Sequence, residues 1–190
     1  MQIWAGLGNP GVQYALHRHN VGFMVADVIA DVHRFGAWQK KFRSLVSEGT
    51  IGRERVLLLK PQTFMNDSGD AVQQALRFYR LGPEALTAIH DELDLAPFKV
   101  KVKTGGGTAG HNGLRSIDAS LGPDFRRVRV GIGHPGHKDR VTGYVLGNYA
   151  KSELDQLSDL LGAIASQVDW LARGDDARFM SDVAARLQQG

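Results

Sequence analysis

The sequence contains no cysteine, which excludes a disulfide framework, a thiolate zinc site and a cysteine nucleophile together. It also lacks any run of about 18 apolar residues, so no membrane-spanning helix is expected. Its start, Met1-Gln2-Ile3-Trp4, has no basic stretch leading into a long apolar one, and a cytoplasmic protein without a secretory signal is the expectation. No internal repeat, low-complexity tract or Pro/Gly/Ser-rich linker divides the 190 residues. With 43% hydrophobic and 23% charged residues, residues 1–190 suit one domain with one sizeable core.

Positive charge is present but unevenly spread. Residues 1–150 hold 19 Lys and Arg against 13 Asp and Glu, whereas residues 151–190 hold 4 against 7. The excess lies with the part richest in motifs, which makes a polyanionic partner plausible without deciding it.

Hydrophobic periodicity alternates between the two kinds of element. Ile3 to Leu7, Val56 to Lys60, Thr87 to Asp91, Lys99 to Lys103 and Arg127 to Ile132 read as strands, with a weaker candidate at Leu45 to Thr50. Val21 to Val32, Ala71 to Tyr79 and Leu114 to Leu121 read as helices. In the tail, Leu154, Leu157, Leu161, Ile164, Val168 and Leu171 recur at helical spacing over Glu153 to Ala172, with Ser152 as N-cap and Gly174 as stop. A final helix is predicted over Ala177 to Leu187. The sum is a three-layer α/β domain with a mixed, twisted central sheet flanked by helices, the C-terminal helices at about 152–188 packing on the same core.

Two strands carry basic stripes. Side chains alternate faces, so Lys99, Lys101 and Lys103 share one side opposite Val100 and Val102, with successive stems about 6.7 Å apart. Arg127 and Arg129 do the same opposite Val128 and Val130. Half-buried strands with solvated outer faces would look alike, but chemical loops adjoin both.

The first of these loops, "GLGNPGVQYALHRHNVGF", contains the spacing Gly6-x-Gly8-x-x-Gly11 of a dinucleotide-binding turn. That fingerprint needs a helix to begin at the loop and an acid about 20 residues on at the end of a second strand. Helical periodicity instead starts near Val21, and Pro10-Gly11 suits a type II turn. Further along the same stretch, Asn20 is a good N-cap, and His19 stands as a candidate general base, since imidazole titrates near 6.5. In "HDELDLAPFKVK", Asp91 stands at the carboxyl end of a predicted strand, where α/β sheets gather their sites. A carboxylate there would fix the tautomer of an imidazole and stabilise its cation. Glu92 and Asp94 read as solvated surface. "TGGGTAGHNGLRSI" lacks the Gly-Lys-[Ser/Thr] ending of a phosphate loop, so its glycines imply close approach and mobility instead. Asn112 and the Asn66-Asp67-Ser68 group could be helix caps; if a neighbour caps in their place, the asparagines are released to bind a substrate amide or hydroxyl.

Taken in order, "GLGNPG…Y…RHNVGF", "KPQTFMNDSG", "HDELDL", "GGGTAGHNGL" and "RVRVGIGHPG" resemble the bacterial-type peptidyl-tRNA hydrolase family over essentially the whole chain. The resemblance implies hydrolysis of the ester between a peptide's C-terminus and the 3′-terminal ribose of tRNA, with no cofactor or metal. By it His19 is the catalytic base and Asp91 its partner, and Asn9, Asn66 and Asn112 are the amides that hold substrate. Tyr14 and Phe64 match positions that contact the tRNA end, Met65 lies beside the peptide, and Lys101, Lys103 and Arg129 grip phosphate. The implied partner is peptidyl-tRNA, with neither DNA nor membrane, for an enzyme expected to be a monomer.

Two positions depart from the family's pattern: His17 where Thr or Ser is usual, and Phe98 in place of a common Gly after "LDLAP". The first puts a second imidazole near the site; the second is expected to alter only the adjoining loop. Two other classes stay open at this point. One is a metallohydrolase using His17, His19, Asp91 and His111, since imidazole and carboxylate suit zinc. The other is a non-catalytic RNA-binding module built on the basic stripes, although no aromatic stacking motif supports it.

Overall fold

In the computed structural model, which describes residues 1–189, the alternating apolar segments assemble into a seven-stranded mixed sheet of order β2-β3-β4-β1-β5-β7-β6. The strands are β1 (Gln2–Gly6), β2 (Gln39–Lys41), β3 (Ser44–Ile51), β4 (Glu54–Pro61), β5 (Leu86–Glu92), β6 (Val100–Thr104) and β7 (Arg126–Gly131). β1 runs parallel to β4 and β5, and β5 parallel to β7; β2, β3 and β6 pair antiparallel at the two sides. β5 is buried along its whole length, as expected of a parallel strand covered on both faces.

Helices cover both faces, giving the three layers expected. On one side α2 (Ser68–Phe78) and α3 (Asn112–Leu121) pack Val72, Leu76, Leu114 and Ile117 against Ile3, Leu57, Leu59 and Leu86. On the other, α1 (Val21–Val32), α5 (Leu154–Ala172) and α6 (Asp176–Gln188) pack Val25, Ile29, Leu157, Ile164, Val168 and Phe179 against Trp4, Leu58, Ile89 and Val128. The helical stripe read in the tail is therefore a core-facing stripe, and α5 and α6 close the same core as the sheet. A short α4 (Val141–Val145) lies between β7 and α5. Among the described residues no helix is long and apolar enough to cross a membrane.

Some local expectations fail for physical reasons. Gly11 does have positive φ, but with φ 118 and ψ 138 it opens a 3-10 turn over Val12–Tyr14 and does not complete a type II turn. Ser152 does not cap α5, because a 3-10 turn over Lys151–Glu153 precedes the helix and Glu153 occupies the N-cap position. Gly174, at φ 80, does end α5.

The position of α1 depends on two glycines. A Cβ on Gly22 would lie 2.3 Å from the Ile89 carbonyl oxygen and 2.4 Å from the Leu7 nitrogen, and one on Gly6 would lie 2.2 Å from the Gly22 carbonyl oxygen. The start of α1 is thus pressed onto the carboxyl ends of β1 and β5 more closely than any side chain would allow.

Candidate active site

The carboxyl ends of β1 and β5 lie side by side; the chain leaving β1 feeds α1 on one face, while the loop after β6 feeds α3 on the other, an arrangement that opens a crevice between the loops. A cleft of about 600 Å³ lies there, with Asn9, His19, Asp91 and His111 at its floor and Phe64, Asn66, Asn112 and α4 around it.

His19 rides on a 3-10 turn (Arg18–Asn20) that leads into α1. Its Nδ1 lies 3.0 Å and 2.9 Å from the two carboxylate oxygens of Asp91, and both side chains are buried. Asp91 also receives His111 Nε2 at 2.9 Å. The protonation pattern follows from the other end of His111. Its Nδ1 accepts the N–H groups of Gly113 (3.1 Å) and Leu114 (3.3 Å), capping α3, so in the neutral ring the proton resides on Nε2 and is donated to Asp91. His19 likewise donates from Nδ1, which leaves its Nε2 lone pair for the cleft. Burial opposes ionisation of Asp91, but the imidazoles of His111 and His19 outweigh it and hold the carboxyl well below the usual carboxylate range.

Capping by His111 is what releases Asn112, which is exposed to the cleft. Asn66 is similarly exposed on a 3-10 turn, with no side-chain capping bond made at the start of α2. Asn20 occupies the N-cap position of α1 as expected, but its side chain makes no capping bond. Its side chain accepts from the Asn9 nitrogen and donates to the Asn9 oxygen, each at 2.9 Å, clamping that backbone. The Asn9 Oδ1 then accepts from the Met65 nitrogen at 2.8 Å, so the Nδ2 hydrogens of Asn9 are the part left to meet a ligand.

Other expected residues fall around this centre at different distances. Phe64 is 59% exposed at the mouth, and Tyr14 stands behind it, edge-on at 6.4 Å between ring centres, outside the cleft lining. Met65 is buried in the wall beneath Asn9. Lys101 pairs across the strands with Arg129, and Lys103 with Arg127, so the basic face is real, but its members are unequal. Lys101 is exposed with no ion pair among the described residues, and Lys103 is half-buried. Arg129 lies 3.9 Å from Glu92, which makes Glu92 a buried counter-charge and corrects its reading as solvated surface.

Arg127 is the larger correction. It is fully buried, its guanidinium lying over the Phe125 ring and donating to the Gly107 and Pro123 carbonyls. It ties down the glycine loop at 105–107 and offers nothing to a solvent stripe. Strand alternation gives its face correctly but carries no information about the loop that covers it.

His17 is not drawn into the centre. Its ring packs edge-on against Tyr14 at 5.3 Å, and burial, then the neighbouring His19, lower its pKa. The ligand-capable cluster is therefore limited to His19, Asp91 and His111, whose ligand atoms lie within 4.8 Å of one another. Phe98 sits at φ 66, a conformation that favours glycine, and its ring stacks on Tyr149 at 6.3 Å and 28°. Its influence thus extends beyond its own loop.

Sequence reasoning missed His111 as a second donor to Asp91, because histidine is not among the usual cap residues. It also missed α4, whose Val141, Thr142 and Val145 line the cleft; five residues are too few to show a period.

Comparison with known proteins places the chain in one family. The sequence model of the family described as Peptidyl-tRNA hydrolase matches residues 3–189. A protein named peptidyl-tRNA hydrolase from Rhizorhabdus wittichii is 70% identical over 187 residues, covering 98% of this chain and 99% of the relative. One of the same name from Novosphingobium aromaticivorans is 71% identical over 188 residues, covering 99% and 98%. The crystal structure of peptidyl-tRNA hydrolase from Acinetobacter baumannii superposes with a TM-score of 0.90 at 41% identity, covering 97% of this chain and 95% of that one. The chain belongs to the peptidyl-tRNA hydrolase family.

Proposed function

We propose that this enzyme cleaves the ester between a peptide's C-terminus and the 3′-terminal ribose of tRNA, with His19 as general base on water and Asp91 as the carboxylate that orients it. The observation that carries the reading is the buried contact between His19 Nδ1 and Asp91 at 2.9–3.0 Å. It leaves His19 Nε2 as the one unprotonated nitrogen facing the cleft. As water attacks the ester carbonyl, Nε2 takes its proton, and the positive charge formed on the ring is met by Asp91. Esters have a good leaving group, so a positioned water and a neutral imidazole suffice without a covalent intermediate.

His111 assists from the other side of the carboxylate. Its N–H occupies one Asp91 oxygen, so Asp91 cannot turn away from His19 without losing a buried bond. Asn9, Asn66 and Asn112 supply amides for the blocked peptide backbone and the developing oxyanion. A free aminoacyl group would bring a charged amine to the same amides and leave them unpaired, which gives discrimination. Lys101, Lys103 and Arg129 hold phosphates without reading sequence, consistent with a substrate pool of many tRNAs. Tyr14 supports Phe64, whose exposed ring is available to the terminal base, while Met65 flanks the peptide. A cytoplasmic monomer that engages neither DNA nor membrane completes the proposal.

The metallohydrolase reading draws on the proximity of His19, Asp91 and His111. The tautomer of His111 argues against it. Metal on Nε2 would move the ring proton to Nδ1, directly opposite the two backbone N–H groups that Nδ1 now accepts. A non-catalytic RNA-binding module leaves the buried His19–Asp91–His111 arrangement without a purpose. The test is a side-by-side assay of N-acetyl-aminoacyl-tRNA and unblocked aminoacyl-tRNA, with and without chelator. Fast cleavage of the blocked substrate alone, unaffected by chelation, is the expected result; loss of activity on chelation would restore the metal reading, and binding without cleavage would support the RNA-binding one.

A further inference from the structure

The residue just before His19 has a side chain that the proposed chemistry does not use. Arg18 turns away from the cleft, and the hydrogen bonds and ring contacts of its side chain fall on the segment that runs from α4 to the start of α5. Its guanidinium lies over the Tyr144 ring at 4.3 Å and within 5.6 Å of the centre of the Tyr149 ring. Nη1 donates to the Tyr144 carbonyl at 3.4 Å, and Nη2 pairs with Glu153 at 3.2 Å, with both side chains largely buried. The main chain doubles the attachment: the Arg18 nitrogen donates to the Gly147 carbonyl and the Tyr149 nitrogen to the Leu16 carbonyl, each at 3.0 Å, around a bridge between His17 and Asn148.

The stack extends further. Phe98 lies on Tyr149, so four planar groups, Phe98, Tyr149, Arg18 and Tyr144, join the loop after β5, α4, the stretch that follows it and the turn bearing His19. Glu153 Oε1 also accepts from the Ala150 nitrogen at 2.9 Å, fixing the carboxylate that Arg18 grips. α4 is a short helix whose Val141, Thr142 and Val145 line the cleft. None of its residues is fully buried, so its packing alone holds it weakly.

The geometry points to Arg18 as a positioning residue that fixes the α4 wall of the cleft and the His19 turn to each other as one unit. This inference rests on the hydrolytic reading of the site. Arg18 touches no reacting atom; it acts through the relative placement of α4 and His19. A substrate lying between α4 and the asparagines meets the base in register only if both sides keep their spacing, and a displacement of about 1 Å can cost up to 10²-fold in rate. Binding by phosphate contacts on β6 and β7 is separate from this clamp, so the effect falls mainly on kcat. Only a planar guanidinium can lie over one ring, donate to a carbonyl and pair with a carboxylate together, so lysine is a poor replacement.

The test combines kinetics on N-acetyl-aminoacyl-tRNA with amide hydrogen exchange of residues 141–149, using Arg18→Lys, Tyr144→Leu, their double variant and Glu153→Gln. Arg18→Lys should lower kcat about tenfold, change KM less than threefold and speed exchange in 141–149 about tenfold. Tyr144→Leu should do the same, and the double variant should be no worse than either single one. Glu153→Gln removes only the ion pair and should give about a threefold loss of kcat, which keeps the proposal exposed should Arg18→Lys fail to fold. Unchanged kcat and exchange in Arg18→Lys or, if that variant does not fold, in Glu153→Gln would overturn the clamp, as would losses that multiply in the double variant. The exchange measurement needs no substrate, so inactivity of the wild-type enzyme towards the ester would defeat the hydrolytic reading while the exchange result still judged the clamp.

Discussion

The centre at the end of β5 and the basic face of β6 and β7 solve opposite problems. At the centre, Asp91 is buried and receives two imidazole N–H groups, and His111 is fixed in turn by the two α3 N–H groups that its Nδ1 accepts. On the basic face, Lys101 is exposed and Lys103 half-buried, with Arg129 partly compensated by Glu92. One region holds few groups in one geometry at low dielectric; the other offers mobile cations to solvent. On the proposed mechanism, the difference teaches where each contribution to kcat/KM arises. Substitutions at the centre should act on kcat and be insensitive to salt, whereas those on the face should act on KM and be sensitive to it.

The largest effect is expected from His19→Ala, which should reduce kcat by roughly 10³-fold or more while leaving the affinity for peptidyl-tRNA close to wild type. Substantial turnover in that variant, measured as release of N-acetyl-amino acid from tRNA, would remove His19 from the mechanism and with it the contrast between the regions. Asp91→Asn comes next. An amide offers one acceptor where two imidazole donors now meet, so kcat should fall by roughly 10²-fold. Full activity would reduce Asp91 to a structural part.

The third test concerns stability. Burial pushes the His90 imidazole down to about 3, with the adjacent His111 contributing, and its Nδ1 donates to the Asp91 carbonyl at 2.8 Å. The unfolded chain, with a histidine near 6.5, therefore binds a proton that the folded chain does not between about pH 3 and 6.5. Stability rises with pH across that window and is lost as pH falls through it. For this one residue the loss between pH 6.5 and 5 is roughly 1.5 to 2 kcal/mol. Urea titrations at the two pH values should show wild type losing that much more unfolding free energy than His90→Gln; equal losses would mean that burial of His90 does not set the acid limit.

On the basic face, Lys101→Ala with Lys103→Ala should raise KM roughly tenfold and flatten its dependence on salt, with kcat nearly constant. An unchanged salt slope would move the RNA contact elsewhere. Arg129→Ala should have the smallest effect, about threefold or less in KM, because Glu92 already offsets part of its charge. An effect larger than that of the lysine pair would invert the ranking made from exposure.

Much of the fold was legible because its elements are long and periodic. α1 has the ends expected of it, Val21 and Val32, and α5 differs from expectation by one residue. β2 left no trace, since Gln39–Lys41 is short, polar and exposed on both faces. In the site, the positions of His19 and Asp91 at element ends could be read, as could the possibility that neighbours cap in place of the asparagines. Partner choice could not. That His111 reaches Asp91, that Asn20 holds the Asn9 backbone and that Arg127 lies under a glycine loop are facts about contacts between residues 11 to 20 positions apart. Local patterns of polarity contain no record of them.

On the proposed mechanism the mutual approach of Gly6 and Gly22 bears on catalysis, although neither residue lines the cleft. His19 sits three positions ahead of Gly22, so the stand-off between helix and sheet sets how far the imidazole stands from the strand that bears Asp91. A single added methyl would open that seam by an ångström or so, enough to stretch a 3 Å proton-sharing contact beyond useful reach. The reactivity of the histidine is thus gauged by two hydrogen atoms buried behind it, a spacer whose thickness no loop rearrangement could restore.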